Sequence, residues 1–415
     1  MRRGSWTLPQ AVAVGAALLL VTPVVVQLAV QVRGRRALDA TTPSLRRATS
    51  GVHHTAWRPP PVTDATAEVN GFAWQQDHSQ WARSIAEPTR TALRVLREQG
   101  GPVPPEVAVW LQANDAAIEG YAHAAGAREA HEDVVVAQGF ASPVPSYLPL
   151  LRAHQVYLAR EASRGPDRCL AAAAPAARLA QQLVPGAAVV GALIAGAMIQ
   201  QTVATVRRCA PEASPAARAD ASRLLELVVR SPAPWEDALA NEALLALTSL
   251  HQLLDGVPTM PRNPQDCLLG FVRLRTVPFL ERWLAPPGPW ARFSGGASAA
   301  ERRAAFARFE AELAALPEPA GTLALALEGY DRRTLAAEGE LRRFALALRF
   351  LVARDQAGGA LPTTPPLLED PAFHDPLTGR PFRWAVEGAR VRFWSEHPQV
   401  RDLRTPMTTE LQLPP

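Results

Sequence analysis

The chain has 415 residues, 48% of them hydrophobic, enough to bury a sizeable core, so a disordered tail is excluded. Lys+Arg total 43 against Asp+Glu 39, and every basic residue is arginine; these are dispersed among carboxylates with no RNP-type or zinc-finger pattern, so the reading is no nucleic acid. Three cysteines, Cys169, Cys209 and Cys267, are too few for a disulfide framework and lack zinc-site spacing; whether any two of them pair is open.

Between Arg3 and Arg33 the chain carries no charge, and Ala11 to Val30 is mostly Ala, Val and Leu. About 20 such residues span a hydrocarbon core of ~30 Å, so residues 8–32 are predicted to cross a membrane as one helix, with Trp6 as interfacial anchor. A cleaved signal peptide would have a shorter apolar run and a small-residue cleavage site. Residues 1–36 therefore read as a tip and transmembrane anchor. The arginine count, Arg2 and Arg3 against Arg33, Arg35, Arg36, Arg46 and Arg47, leans by itself toward a cytoplasmic body.

Residues 37–66 are polar and proline-containing, with His53-His54 followed by Pro59-Pro60-Pro61, and read as a spacer holding the body off the membrane. The two histidines read as solvated rather than as metal ligands. From 67 to 327 the pattern is all-α: helical signals at about 105–123, 147–162, after Gly165-Pro166-Asp167 with Asp167 as N-cap, then 186–208, 215–230, 235–254, 268–284 and 299–315. Pro- or Gly-containing connections give this body the grammar of stacked helical hairpins, solenoid-like, with extended binding surface. Leu179 to Val206 is uncharged and could be a second span; its Ala and Gly content and its four glutamines favour one buried helix of the soluble body.

Residues 328–415 form the last division. Leu341, Phe344, Ala345, Leu348, Leu351 and Val352 keep an i, i+3, i+4, i+7 stripe over a helix at about 328–355. After Pro366 the pattern changes to a β-hairpin: Asp375, Pro376 and Gly379 set a turn, Phe382, Trp384 and Val386 alternate, and Val391 and Phe393 alternate on the return. The aromatic face is predicted to dock on the preceding helix, making Asp375, Pro376, Gly379, Phe382 and Trp384 structural candidates.

The run Asp375-Pro376-Leu377-Thr378-Gly379-Arg380-Pro381-Phe382-Arg383-Trp384, following a long helix, resembles the C-terminal end of a family of membrane-anchored bacterial helical proteins. The resemblance extends weakly to Pro59-Pro60-Pro61-Val62 with Asn70, to Trp110 through Asp115 and to Gly191 through Ala197; its specific part is the hairpin. It implies an inner-membrane, single-pass protein whose body faces the periplasm, against the arginine count, and it implies no activity. The ending is also similar to that of type II secretion pseudopilins, but the pilin-type N-terminus and the calcium loop are missing, since Trp394-Ser395 runs into Glu396-His397-Pro398.

No P-loop, G-x-S-x-G, H-E-x-x-H, dinucleotide or deaminase motif is present, and the reading assigns no cofactor, no metal and no catalytic residue. His123, Glu129, His131, Glu132 and Asp133 look metal-like but read as solvated. Glu242, alone among apolar residues, reads as a structural clamp or a solvated residue ahead of an acid–base group. Phe293-Ser294-Gly295-Gly296 reads as a loop. The functional expectation is a non-enzymatic envelope protein that binds a protein partner through its helical surface, with a periplasmic hydrolase as the alternative.

Overall fold

A computed structural model describes residues 8–51, 53–63, 70–101, 103–132, 134–257, 264–293, 299–318, 320–323, 327–396 and 408–414. The protein is mainly helical with one three-stranded antiparallel sheet near its C-terminus. The chain divides into two units: residues 1–52, 135–142 and 242–327, and residues 53–134, 143–241 and 328–415.

In the first unit one helix runs from Leu8 to Thr49. The sequence places a spacer from residue 37, yet the helix continues to 49, because Leu38, Thr41 and Leu45 extend a buried stripe begun by Gln31 and Gly34 at spacings of three and four. That stripe packs on the helix Pro264–Leu284: the Gln31 amide donates to the Asp266 carbonyl at 2.6 Å, and a Cβ on Gly34 would lie 3.4 Å from the Arg273 side chain. Arg35 closes the contact with an ion pair to Asp255 at 2.8 Å. Beyond it, Phe279, Trp283, Phe293, Phe306 and Phe309 form a buried aromatic cluster, with the Trp283 indole donating to Glu312 at 2.9 Å.

The second unit begins with residues 53–63 of the expected spacer, which are packed rather than free. Val62 is buried, the Trp57 indole donates to the Pro232 carbonyl at 2.9 Å, and the guanidinium of fully buried Arg178 sits 5.1 Å over the Trp57 ring. Burial pushes Arg178 down to about 9. The helical signal at 105–123 resolves into Pro105–Ala113 and Asp115–Ala122, broken at Asn114, whose amide turns back to the Trp110 carbonyl at 2.8 Å. Asp167 does not cap its helix: Gly165 with φ 101° takes that position, Pro166 starts the helix, and the Asp167 carboxylate accepts from the Ser214 amide and hydroxyl at 2.6 and 2.8 Å.

Residues 179–206 are two elements rather than one, the end of helix Ala173–Gln181 and most of helix Val189–Cys209. The latter is long and apolar enough to cross a membrane, but Ala192, Ala195, Met198, Ile199, Val203 and Val206 are fully buried in the unit's core. A disulfide joins Cys169 to Cys209.

The terminal helix, Leu327–Gln356, carries the sheet. Strands β1 (Arg383–Glu387), β2 (Arg390–Trp394) and β3 (Thr408–Gln412) pair in order, with Trp384 opposite Phe393, Val386 opposite Val391 and Val391 opposite Leu411. Trp384 meets Phe350 of the helix at a ring separation of 6.1 Å, and the Arg343 guanidinium lies 5.4 Å from the Phe382 ring. The hairpin therefore docks on this helix, with Arg343 and Phe350 lying off the Leu341, Phe344, Leu348 and Leu351 stripe expected to receive it, and β3 adds an edge strand to it.

Candidate functional site

The second unit holds a polar groove built around one arginine. Asp115 and Glu119 stand four residues apart on the helix Asp115–Ala122 and so share a face, while Arg160 and Glu161 belong to the helix Tyr147–Ser163, otherwise largely apolar where it is buried. Arg160 is 3% exposed. Its Nη1 donates to Asp115 at 3.1 Å, its Nη2 to Glu119 at 2.8 Å and its Nε to Glu161 at 2.7 Å. Arg164 adds bonds to Asp115 at 2.5 Å and Glu161 at 3.3 Å, and Arg168 approaches Glu161 at 3.8 Å.

Burial alone would lower the Arg160 pKa, but Glu161 and Glu119 more than offset this and hold it above its ordinary value. Burial, with Glu161 next, raises the Tyr157 phenol, which therefore stays a hydrogen-bond donor at neutral pH. Cavities flank the arginine, one of about 410 Å³ whose lining includes Thr63, Glu119, His123, Tyr157 and Arg168, and one of about 360 Å³ whose lining includes Gln112, Asp115 and Ser163. Three arginines face three carboxylates, so the groove has no surplus charge among them to concentrate an ion. What it offers a ligand is a wall of hydrogen-bonding groups above apolar side chains such as Val62, Ala172 and Leu224.

A second polar contact ties the segment after His53 to the helix Trp235–Asp255. Asp237 is fully buried and accepts from the Thr55 amide at 2.6 Å and the Thr55 hydroxyl at 2.8 Å. Burial raises it to about 6, against the lowering effect of those bonds. Asn241 donates to the carbonyls of Gly186 and Ala187 at 2.9 and 3.0 Å. The sequence reading singles out Glu242 on this helix, but Glu242 is half-buried, and the buried carboxylate is Asp237, five residues earlier on a different face.

The other sequence candidates are scattered. His123 faces Glu119 at 3.9 Å and Glu129 lies 3.6 Å from Arg58, whereas three residues expected to be solvated are not: His131 stacks on His54 at 4.5 Å, both half-buried, and Glu132 is buried and accepts from Tyr147. Asp133 and Ser294 lie outside the described residues, as does Trp6. Among the described residues no three His, Cys, Asp or Glu side chains form a group that could hold a metal ion.

At the hairpin turn the Asp375 carboxylate accepts from the Leu377 amide at 3.0 Å and the Thr378 hydroxyl at 3.1 Å, and the Gly379 amide donates to its carbonyl at 2.7 Å with Gly379 at φ 70°. Pro376 fits against Gly339, where a Cβ would come within 3.4 Å of its ring. Phe382 is 2% exposed and Trp384 is half-buried, so Phe382 is the deeper anchor of the two. These five residues are brought together by the docked hairpin; Glu242 is not among them.

No protein family, curated protein or solved structure matches this chain.

Proposed function

We propose that this chain is a single-pass protein of a bacterial inner membrane, anchored by residues 8–32, whose body lies on the periplasmic side and binds a protein partner. The Cys169–Cys209 disulfide supports this reading most, because such bridges persist in oxidising compartments and are rare in a reducing cytoplasm. The family resemblance of the hairpin points the same way. The partner contact is assigned to the groove at Arg160, where carboxylates engaged by arginines suit recognition better than proton transfer. Alkaline phosphatase fused after Pro415 is expected to be active, and a cytoplasm-only fluorescent reporter there to stay dark. The reverse pair of results would refute the orientation. A photo-crosslinking residue in place of exposed His123, at the groove, is expected to give one discrete protein adduct in intact cells. Adducts to lipid alone would refute the partner assignment.

A further inference from the structure

The helix Leu8–Thr49 changes its surroundings near Gln31. From Gln31 onward its inner face is buried by the first unit, whereas just before that point Val25 is 57% exposed, Val26 51% and Leu28 36%. The helix Pro264–Leu284 runs alongside in the same direction, since Gln31 meets Asp266 and Gly270 while Gly34 meets Arg273 and Leu274. The first turns of that second helix therefore lie at the axial level of Gln31, only about 5–8 Å along from Leu28 and Val26 at ~1.5 Å per residue.

At that level the second helix presents an unusual outer stripe. Gln265, Leu268, Phe271 and Arg275 are all exposed at spacings of three and four, with Leu268 at 62% and Phe271 at 46%. After Gln265 come the apolar Leu268 and Phe271 and then Arg275, and the last step follows the order in which the anchor helix passes from Val32 to Arg33 and Arg36, both of those arginines exposed. The helix Trp235–Asp255 also ends here, its Asp255 carbonyl receiving Arg35 at 3.0 Å. Two helices of one unit thus change from apolar to cationic outer surface at the same height.

We infer that Leu268 and Phe271 form a second, interfacial contact with the bilayer beside the anchor, with Arg33, Arg36 and Arg275 set against anionic lipid phosphates. Aromatic and aliphatic side chains at headgroup depth gain apolar burial, while arginines reach outward to phosphate. The contact rests on the anchor reading, and it makes residues 264–275 a part of the membrane-facing surface of the first unit rather than a solvated helix face.

The test uses the full-length protein with Cys267→Ser, reconstituted into phosphatidylcholine–phosphatidylglycerol vesicles. Single cysteines replace Val26, Phe271 or Arg275, each labelled with an environment-sensitive fluorophore; all three side chains are exposed, so labelling leaves the core intact. The Phe271 label is expected to emit at shorter wavelength than the Arg275 label and to be quenched more by lipids bearing a shallow nitroxide than by aqueous iodide. If the Val26 label is lipid-quenched while the Phe271 label answers only to iodide, the interfacial contact is wrong and the anchor stands. If the Val26 label also answers only to iodide, the anchor reading fails and the contact with it.

Discussion

Replacing both Cys169 and Cys209 by alanine opens a cross-link between residues 40 apart in sequence. In the chain-entropy treatment, closing a loop of that length removes roughly 13 cal/mol/K from the unfolded chain, about 4 kcal/mol at 25 °C. That is a large share of the ~5–15 kcal/mol that holds a typical domain together. The bridge joins helix Pro166–Ala171 to helix Val189–Cys209 in the core of the second unit, and Cys169 is 1% exposed, so the loss should appear in that unit. Hydrogen exchange of the full chain in detergent, read peptide by peptide, is the direct assay. Amides of Val189–Cys209 that open only with the whole unit should exchange roughly a thousandfold faster in the double variant, since each ~1.4 kcal/mol is a factor of ten. Peptides of Pro264–Leu284, in the first unit, carry neither cysteine and serve as the internal reference. Unchanged protection over Val189–Cys209 would refute the argument. So would full alkylation of both thiols in protein taken from cells before any reductant is added.

The docked hairpin predicts an order of costs in thermal unfolding: Phe382→Ala, which removes a side chain 2% exposed, about 3–5 kcal/mol; Trp384→Ala, half-buried against Phe350, clearly less; His374→Ala, which loses a single 3.2 Å bond to the Gly379 carbonyl, ~1 kcal/mol. A ranking led by His374→Ala would overturn the packing account. Glu340, 3% exposed on the terminal helix, is raised from 4.5 to about 7 by burial, which outweighs the charges of Arg343 and Arg207. Its folded pKa lies above its unfolded one, so its contribution is fully present below 4.5 and is lost as pH rises through about 7. Glu340→Gln should therefore stabilise the protein by up to about 3 kcal/mol on the alkaline side of 7 and lose that gain below 4.5, with denaturant unfolding at several pH values as the check. A gain that is the same at every pH would contradict it.

The helices were legible because their signals are local. Pro215 opens its helix with Ser214 as cap, accepting from the Ala217 amide at 3.2 Å, and the Leu341–Val352 stripe repeats at helical spacing. The hairpin was legible for the same reason, through alternation and a turn whose side chains bond their own backbone. Strand β3 was not, since Thr408–Gln412 has Leu411 as its one large apolar side chain and becomes a strand only by pairing with β2. Residues 37–49 read as spacer because their buried positions include Thr41, and what makes that face an inner one is the distant helix Pro264–Leu284. The groove was hidden by separation: Asp115 and Arg160 lie 45 residues apart, and an arginine in an arginine-rich chain carries no mark of burial. A weak signal did exist in the pairing of Asp115 with Glu119 and of Arg160 with Arg164 at i, i+4. Asp167 shows the limit of local reading, since its capping chemistry is spent on Ser214 instead.

Each unit is assembled from three stretches of chain that are not adjacent in sequence. During synthesis the second unit therefore lacks its last stretch, residues 328–415, until well after its first two stretches have been made. Helix Val189–Cys209 emerges long before the terminal helix that supplies Ala337 against its Gly196. For that interval the cell meets an apolar helix of spanning length, uncharged from Val189 to Val206, with its later partner still unmade. Its small residues, Gln200 and Gln201, and the following Arg207-Arg208 keep insertion only marginally favourable. The composition of this helix thus bears on its fate in transit, where a leucine-rich helix of equal length would risk being stranded in the bilayer before its fold was complete.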